Sequence, residues 1–269
     1  MTPSVHRYGP GSTASPNACL TALESTRRRP LPVGLSGPSD DPDAPLVPDL
    51  EVSWLEPFPD LRADDPAGVA VERESLRLAF VAALQTLPAQ QRAALILREV
   101  LQYTAAEIAA CLNVSVSAVN SALQRARSAT PVDHDLADGS SRPADPRQRA
   151  TLEAYITAFE RADIDALAAL LRADVVLKMP PVPNWYAGID HYCQFMARVY
   201  TMRGRSWRTI TTQANGQPAF AAYALGPDDA FHAHTLQVLT ILDDSIVHNV
   251  VFADPTLFPA FELPAVIHR

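Results

Sequence analysis

A stretch from Leu87 to Ser128 constrains the fold of this chain more than any other part of its 269 residues. Its apolar residues recur at helical spacing in three runs, which predicts three helices joined by short connections. Thr104 begins the second helix, and Glu107 follows at the spacing of a reciprocal N-terminal cap. Asn113 comes after that helix, and asparagine is one of the few non-glycine residues that tolerate a left-handed backbone. The sequence therefore predicts two short helices joined by a tight turn.

The third predicted helix has one apolar face and one polar face. Its predicted inward residues are Val116, Val119, Ala122 and Leu123. Small and amide side chains on the outer face suit contact with base edges, and arginines suit contact with phosphates. The predicted DNA-binding residues are Ser115, which also caps the helix, Ser117, Asn120, Ser121, Gln124, Arg125 and Arg127. This pattern is typical of a helix-turn-helix, and the alternative is a three-helix packing unit without a ligand.

The segment TAAEIAACLNVSVSAVNSALQRARS, residues 104–128, resembles region 4 of the extracytoplasmic-function (ECF) sigma factors of bacterial RNA polymerase. The preceding LPAQQRAALILREV is similar to the first helices of that region. The family usually has glycine at the position of Asn113, and both residues permit the turn. The resemblance implies that this region binds the promoter −35 element and the β-flap of core RNA polymerase.

The charge distribution is consistent with a small DNA-binding module inside an acidic chain. The net charge is −8, which disfavours non-specific nucleic-acid binding by the whole chain. Residues 88–128 carry four arginines and two glutamates, a local net charge of +2. Three distant cysteines predict reduced thiols, not a disulfide framework or a metal site. No apolar run reaches the roughly 18 residues of a membrane span and no signal peptide is recognisable, so we expect a cytoplasmic protein.

The N-terminal third is predicted to be mostly extended or disordered. Residues 1–16 are rich in Pro, Gly, Ser and Thr. Residues 17–29 predict either one amphipathic helix with a basic end or a solvated basic terminus. The segment NACLTALESTRRRPLP resembles the last helix of sigma region 2, which contacts the −10 element in the family. The remaining helices of region 2 are expected to be missing, so we expect a remnant at residues 1–29 that does not open a promoter by itself.

Two predicted linkers flank the helix-turn-helix domain, which is assigned to residues 71–130 together with a helix from Val71 to Leu84. The first linker, residues 30–70, is rich in proline and acids. It contains WLEPFPD, in which Trp54 and Phe58 are predicted either to dock in a groove or to pack locally. This motif is similar to an inter-region motif of ECF sigma factors that carry a SnoaL-like extension. The second predicted linker is residues 131–146.

Residues 147–269 predict an α+β cone that follows the all-α helix-turn-helix domain. Helical patterns come first, PPVPNWYAG is predicted as a loop, and the later strands are predicted to form a curved antiparallel sheet. This element order and the motifs WYAG and DPTLFPAFELP resemble the SnoaL-like, NTF2-like superfamily, which includes ketosteroid isomerase and polyketide cyclases. The chain is thus similar to ECF sigma factors of the sigma-G type with a fused SnoaL-like domain.

A cone of this kind has an open mouth that suits a small molecule. The candidate ligand-pocket residues are Trp185, Tyr186, His232 and His234. The two histidines are two residues apart, so they are predicted to face one side of a strand, and the alternative is an outward or hydrogen-bonded core position. His248 and Asp254 are further candidates for an acid or base, although Asp254 also suits a turn.

The resemblance implies that the second domain regulates the first and binds an unknown small molecule. No metal ligand is predicted, because no carboxylate lies beside the histidines in sequence to complete a metal site. No cofactor is predicted, and no catalytic residue is predicted because no positions here match the catalytic Asp and Tyr of the isomerases. Two other functions stay open at this point. One is a SnoaL-like small-molecule-binding protein or isomerase/cyclase-type enzyme with a vestigial DNA-binding arm. The other is a non-initiating protein that competes with intact sigma factors.

Overall fold

A computed structural model describes residues 29–60, 78–85, 87–101, 103–129 and 146–268. It divides into two compact units, one containing residues 86–130 and the other combining residues 28–85 with 131–269. The predictions for the N-terminal helix, for the first turns of the Val71–Leu84 helix and for most of the second linker lie outside the described residues. No single helix in the described part is long and apolar enough to span a bilayer. Only Ala105–Leu112 and Val116–Ser128 together, bent by 102°, meet that length and composition.

The helices before residue 130 are α1 (Leu78–Leu84), α2 (Ala89–Leu95), α3 (Ala105–Leu112) and α4 (Val116–Ala129). A π-helical turn, Ile96–Val100, continues α2. The predicted cap of α3 is confirmed: the Glu107 backbone N–H donates to Thr104 Oγ1 at 3.3 Å, and the Thr104 N–H donates to Glu107 Oε2 at 2.7 Å. Asn113 ends α3 in the left-handed conformation, with φ of 54°. The predicted helix-turn-helix is therefore present.

One face of α4 supplies much of the apolar core of the unit that contains residues 86–130. The buried residues of α4 are Val119, Ala122, Leu123 and Ala126. Val116 was predicted to join them, but it is 45% exposed. It lies one turn before the exposed Asn120, so it shares the outer face of the helix and not the inner one.

After residue 145, the described part of the second unit contains a seven-stranded sheet and three further α-helices. The helices are α5 (Pro146–Glu160), α6 (Ile164–Ala168) and α7 (Ile189–Arg203). The strands are β1 (Leu171–Met179), β2 (Val182–Ala187), β3 (Trp207–Ala214), β4 (Gln217–Leu225), β5 (Phe231–Leu242), β6 (Ser245–Phe252) and β7 (Val266–Ile267). Their order is β2-β1-β6-β5-β4-β3, and β7 pairs with β5. A 3₁₀ helix, Pro255–Phe261, precedes β7.

Two predictions about this sheet were wrong. The sheet is mixed and not wholly antiparallel, because β1 pairs in parallel with β6. The PPVPNWYAG segment is not only a loop, since Val182–Ala187 forms the edge strand β2. An edge strand tolerates Pro183 because a missing backbone donor there costs no interior ladder bond.

The two faces of the sheet bury different clusters. We call one the helix face, because residues of α5 and α7 such as Tyr155, Phe159 and Tyr200 pack on it with Trp207. The opposite surface is the strap face. Its cluster combines residues of the sheet and the 3₁₀ helix with three residues from earlier in the chain, Leu31, Leu55 and Leu78.

Residues 29–60 form an ordered strap on the C-terminal unit instead of a free linker. The Ser39 N–H donates to the Trp185 carbonyl at 2.8 Å, and the Asp49 N–H donates to the Pro181 carbonyl at 2.9 Å. Arg198 on α7 donates to two strap carbonyls, each at 2.7 Å. These bonds hold successive parts of the strap against the domain.

In the WLEPFPD motif, Leu55 packs in the strap-face cluster, whereas Trp54 hydrogen-bonds within the strap, as the local-packing alternative predicted. Trp54 and Leu55 are each only 8% exposed, and Trp54 Nε1 donates to the Asp49 carbonyl at 2.7 Å. The Phe58 side chain is 39% exposed, so it is not a buried anchor. Its backbone binds instead: its N–H donates to Asn215 Oδ1 and its carbonyl accepts from the Asn215 N–H.

Helix α1 belongs to the C-terminal unit and not, as predicted, to the helix-turn-helix domain. Leu78 is 2% exposed within the strap-face cluster, and its backbone N–H donates to Gln217 Oε1 at 3.2 Å. After the helix, the Gln85 side chain exchanges two hydrogen bonds with the backbone of Arg29, at 2.5 and 3.0 Å. The periodicity of α1 predicts an apolar side but does not indicate which core receives it.

Candidate nucleic-acid interface and interior polar cluster

The exposed face of α4 is polar along its whole length. Ser115 Oγ accepts from the Ala118 N–H at 3.2 Å and lies 2.9 Å from Ser117 Oγ, so Ser115 caps the helix as predicted. The predicted DNA-binding side chains are all exposed, namely Ser115, Ser117, Asn120, Ser121, Gln124, Arg125 and Arg127. Their spacing of three and four residues places most of them on one surface. That surface offers hydroxyl and amide groups first and cations towards the C-terminal end.

The arginines of this unit differ in what they already bind. Arg127 Nη2 lies 2.7 Å from Glu99 Oε1, which joins α4 to the turn after α2. Arg92 donates to the Leu87 carbonyl, and Arg98 donates to the Tyr103 carbonyl. Arg125 is exposed and forms no hydrogen bond or ion pair with a described residue. Of the four cations, Arg125 is therefore the one whose guanidinium is uncommitted.

The structure does not gather the four candidate pocket residues at one surface. Tyr186 is 1% exposed on the helix face and stacks on Phe195 with ring centroids 5.2 Å apart. Trp185, its neighbour in β2, points to the other face, where its Nε1 donates to the Ser36 carbonyl at 2.9 Å. Successive residues of a strand alternate in direction, and this alternation separates the pair.

The two histidines of β5 also have separate environments. His232 is exposed, and its Nε2 lies 2.8 Å from Asp228 Oδ1. His234 lies at a bulge opposite Ala222 and Tyr223, and its ring meets Trp207 edge-on at 5.2 Å. Burial, with a smaller contribution from Arg203, lowers the pKa of His234 to about 4. The imidazole of His234 is therefore neutral at neutral pH.

Of the other two titratable candidates, Asp254 serves the fold. Asp254 Oδ1 accepts from the Thr256 N–H at 2.9 Å and caps the 3₁₀ helix, as its turn-forming alternative predicted. His248 is half-buried on the strap face. Burial, followed by the charges of Lys178 and Arg172, lowers the pKa of His248 to about 3. Across the described ranges, no group of three or more His, Cys, Asp or Glu side chains is arranged to hold a metal ion.

A buried polar cluster on the helix face was not predicted. The hydroxyls of Tyr155 on α5 and Tyr192 on α7 are 2.5 Å apart. Asn249 Nδ2 on β6 lies 2.8 Å from the Tyr192 hydroxyl, 3.2 Å from the Tyr155 hydroxyl and 2.9 Å from Gln237 Oε1. The side-chain oxygen of Asn249, Oδ1, is buried and has no hydrogen-bond partner. We call these four residues the interior polar cluster.

The interior polar cluster consists of hydrogen-bonding groups that remain un-ionised. Burial raises the pKa of Tyr192 to about 12 and the pKa of Tyr155 well above its usual value. The sequence did carry one signal for the cluster: Asn249 interrupts the apolar run of IVHNVVF at an inward position. Tyr155 gave no such signal, because a tyrosine in an apolar helical stripe is equally expected in a core.

Two protein families match separate parts of this chain. Sigma-70, region 4 matches residues 77–129, which begins at α1, and the SnoaL-like domain matches residues 152–249. The ECF RNA polymerase sigma factor SigG of Mycobacterium tuberculosis, strains CDC 1551 / Oshkosh and H37Rv, is 47% identical over 252 residues, which is 92% of this chain and 68% of the relative.

A second relative is similar in both sequence and structure. The ECF RNA polymerase sigma factor SigJ of M. tuberculosis H37Rv is 29% identical over 152 residues, which is 54% of this chain and 48% of the relative. The crystal structure of M. tuberculosis SigJ matches with a TM-score of 0.59 and 25% identity. The match covers 78% of this chain and 76% of that one.

Proposed function

Because this chain belongs to the ECF family of RNA polymerase sigma factors, we propose that it binds a promoter −35 element through α4 and core RNA polymerase through its β-flap. The observation that carries the DNA assignment is the exposed face of α4. Asn120 and Gln124 present amides suited to base edges, and Arg125 presents an uncommitted cation suited to a phosphate. Ser115 and Ser117 lie at the N-terminal end, where backbone N–H groups favour phosphate oxygens.

The DNA assignment is tested with the full chain and a fluorescent −35-type duplex, measured by anisotropy at several salt concentrations. We expect Arg125→Ala to weaken binding to all sequences and to lower the salt slope by about one unit. We expect Asn120→Ala to relax the preference for one sequence, because an amide contact to a base edge specifies that base. Arg149→Ala, an exposed arginine on α5, is the matched control. An unchanged affinity and slope for Arg125→Ala would reject the assignment.

The polymerase assignment is supported by exposed apolar side chains between α2 and α3. Leu101 is 49% exposed and Tyr103 is 37% exposed. Exposed apolar groups beside polar ones are suited to a protein partner. We expect Leu101→Asp to reduce capture of the chain by core RNA polymerase in a pulldown, while Leu35→Asp in the strap serves as the control, because Leu35 is also 49% exposed. Equal capture of both variants would reject the contact.

We infer that the SnoaL-like domain acts as a regulatory module. Its support is the position of α1, which opens the region 4 match but packs in the C-terminal unit through Leu78 and Gln217. A change in the C-terminal unit would therefore act directly on the segment from which the helix-turn-helix begins. We expect Leu78→Ala to alter DNA binding without touching the DNA-facing side chains, and anisotropy with the same duplex measures this effect.

A second candidate function, small-molecule binding by the C-terminal domain, is favoured by the interior polar cluster. Asn249 Oδ1 is an acceptor without a donor, and such groups are costly to bury unless something satisfies them. The cluster offers hydroxyls and amides and no carboxylate or imidazole, which supports binding over proton abstraction. We therefore propose a non-catalytic domain. Turnover of an enolisable ketone by the full chain, lost in Asn249→Leu, would reject that proposal.

A further inference from the structure

Lys178 is the only lysine in a chain that has 21 arginines. It lies near the end of β1 and is only 7% exposed. Lysines are among the residues least often found buried, and a buried lysine is normally paired with an acid. The one lysine of this chain therefore occupies a position at which a flexible, compact ammonium replaces the arginine used everywhere else.

The strand register places Lys178 beside two other side chains on the strap face. Lys178 lies opposite Val250 of β6, which belongs to the strap-face cluster, and opposite Trp185 of β2. His248 pairs with Val176, two residues before Lys178, so His248 is the diagonal neighbour of Lys178 on the same face. The short 3₁₀ turn of the strap, Pro32–Gly34, packs on β1 and β2. Lys178 thus lies between the sheet and the strap.

The positive charge at this position has no counterion among the described residues. Lys178 makes no hydrogen bond or ion pair there, and the Asp174 carboxylate, which acts on His248, is already bound by the Arg172 guanidinium at 2.5 and 2.9 Å. His248 is neutral at neutral pH and so adds a polar ring without adding charge. The Lys178 Nζ atom has no partner among the described residues, but it is not fully enclosed. A small species can therefore reach it.

We propose that Lys178 and His248 form a subsite for a small oxyanion, a carboxylate or phosphate group, between the strap face of the sheet and the Pro32–Gly34 turn. The ammonium would donate to the oxyanion and balance its charge, and the imidazole N–H would donate a second hydrogen bond. Trp185 would supply an apolar wall. Since Trp185 also binds the strap carbonyl of Ser36, an occupied subsite would contact both the sheet and the strap. The subsite is independent of the proposed DNA contacts.

The first test is thermal unfolding of the full chain in sodium phosphate, sodium acetate and sodium chloride at equal ionic strength. A ligand that binds only the folded state raises the melting temperature in a concentration-dependent way. We expect such a rise with phosphate or acetate relative to chloride in the native chain, and which anion gives it identifies the group. Lys178→Met keeps the buried stem but removes the charge, and we expect it to abolish the rise. Arg149→Met, the matched loss of one exposed cation, is expected to retain it.

The second test uses the fact that one lysine gives one side-chain signal. With ¹⁵N-lysine labelling, the Nζ resonance of the native chain reports only Lys178, so this test does not require a variant to fold. Burial lowers the pKa of Lys178 to about 8, and a bound oxyanion favours the charged form. We expect a saturating oxyanion to raise that pKa by about one unit, which corresponds to about tenfold tighter binding to the protonated form. An unchanged resonance and pKa, or an equal thermal shift in Lys178→Met, would overturn the proposal.

Discussion

Burial is the main cause of the altered acid–base chemistry of His234. Its Nδ1 atom is enclosed without a hydrogen-bond partner, and Trp207 covers the ring edge-on. A cationic imidazole would have to lose its water there, and burial therefore lowers its pKa to about 4. The enclosure of His234 beneath Trp207 also explains why His234 is not a general base at neutral pH. The proton affinity of its imidazole is too low to take a proton from a substrate.

We predict that His234 contributes to a loss of stability in acid. Unfolded histidine has a pKa of about 6.5, so between that value and about 4 the unfolded chain binds more protons than the folded chain. Stability present above pH 6.5 is therefore lost as the pH falls towards 4, on the order of 2 kcal/mol for this group after allowance for solvent screening. Urea unfolding at pH 7.5 and 4.5 should show a smaller loss of unfolding free energy for His234→Phe than for the native chain.

The control for this measurement is His268→Gln, since His268 is exposed near the C-terminus. His248, whose pKa is also lowered by burial, remains in both variants, so the acid-side loss should shrink but not disappear. An equal loss in His234→Phe and in the native chain would contradict the prediction.

At the scale of elements, α1 depends on one buried glutamine. Gln217 Oε1 accepts from the Leu78 N–H, and its Nε2 donates to Thr240 Oγ1 at 2.8 Å. We predict that Gln217→Ala destabilises α1 by about 1–3 kcal/mol, because it leaves a buried N–H unsatisfied. Hydrogen exchange at Leu78 should accelerate accordingly. Gln213→Ala, an exposed glutamine in β3, should leave that exchange unchanged, and protection of Leu78 in Gln217→Ala would refute the role.

The strap depends on a buried tryptophan. Trp54 is 8% exposed and Leu50, four residues earlier, is 83% exposed. We predict that Trp54→Ala costs about 3 kcal/mol of unfolding free energy because it leaves a cavity, and that Leu50→Ala changes it by less than about 0.5 kcal/mol. Urea denaturation followed by circular dichroism measures both. Similar values for the two variants would mean that the strap is held only by its backbone bonds.

Local chemistry made many of these elements predictable from sequence. The Thr104–Glu107 spacing and the left-handed tolerance of Asn113 each determine a helix boundary without help from distant residues. The choice of core was less predictable, because the apolar side of α1 fits either unit. The parallel pairing of β1 with β6 also depends on contacts between residues far apart in the chain. For the site, exposure and spacing predicted the α4 face, but the interior polar cluster required knowing that Tyr155, Tyr192 and Asn249 meet.

At the scale of the whole molecule, the charge of the chain limits how it binds DNA. The net charge is −8, and three of the four arginines between residues 88 and 128 already bind carbonyls or Glu99. We predict that the full chain alone binds a −35-type duplex with a salt slope no steeper than about −2, corresponding to one or two phosphate contacts. Anisotropy titrations over a range of salt concentrations test this. A much steeper slope would indicate a larger basic surface than the described residues provide.

Because the strap and α1 pack with the domain that follows the helix-turn-helix, the C-terminal unit is discontinuous in the chain and the helix-turn-helix is an insertion within it. Closing the C-terminal unit therefore requires joining Gln85 to the segment beginning at Pro146, across about 60 residues. As a flexible loop, that closure costs on the order of 4 kcal/mol of chain entropy. Helices α2–α4, whose contacts are local, form faster than such long-range pairs, and their formation shortens the loop that remains. We therefore expect the inserted helices to form before the long-range contacts that close the C-terminal unit.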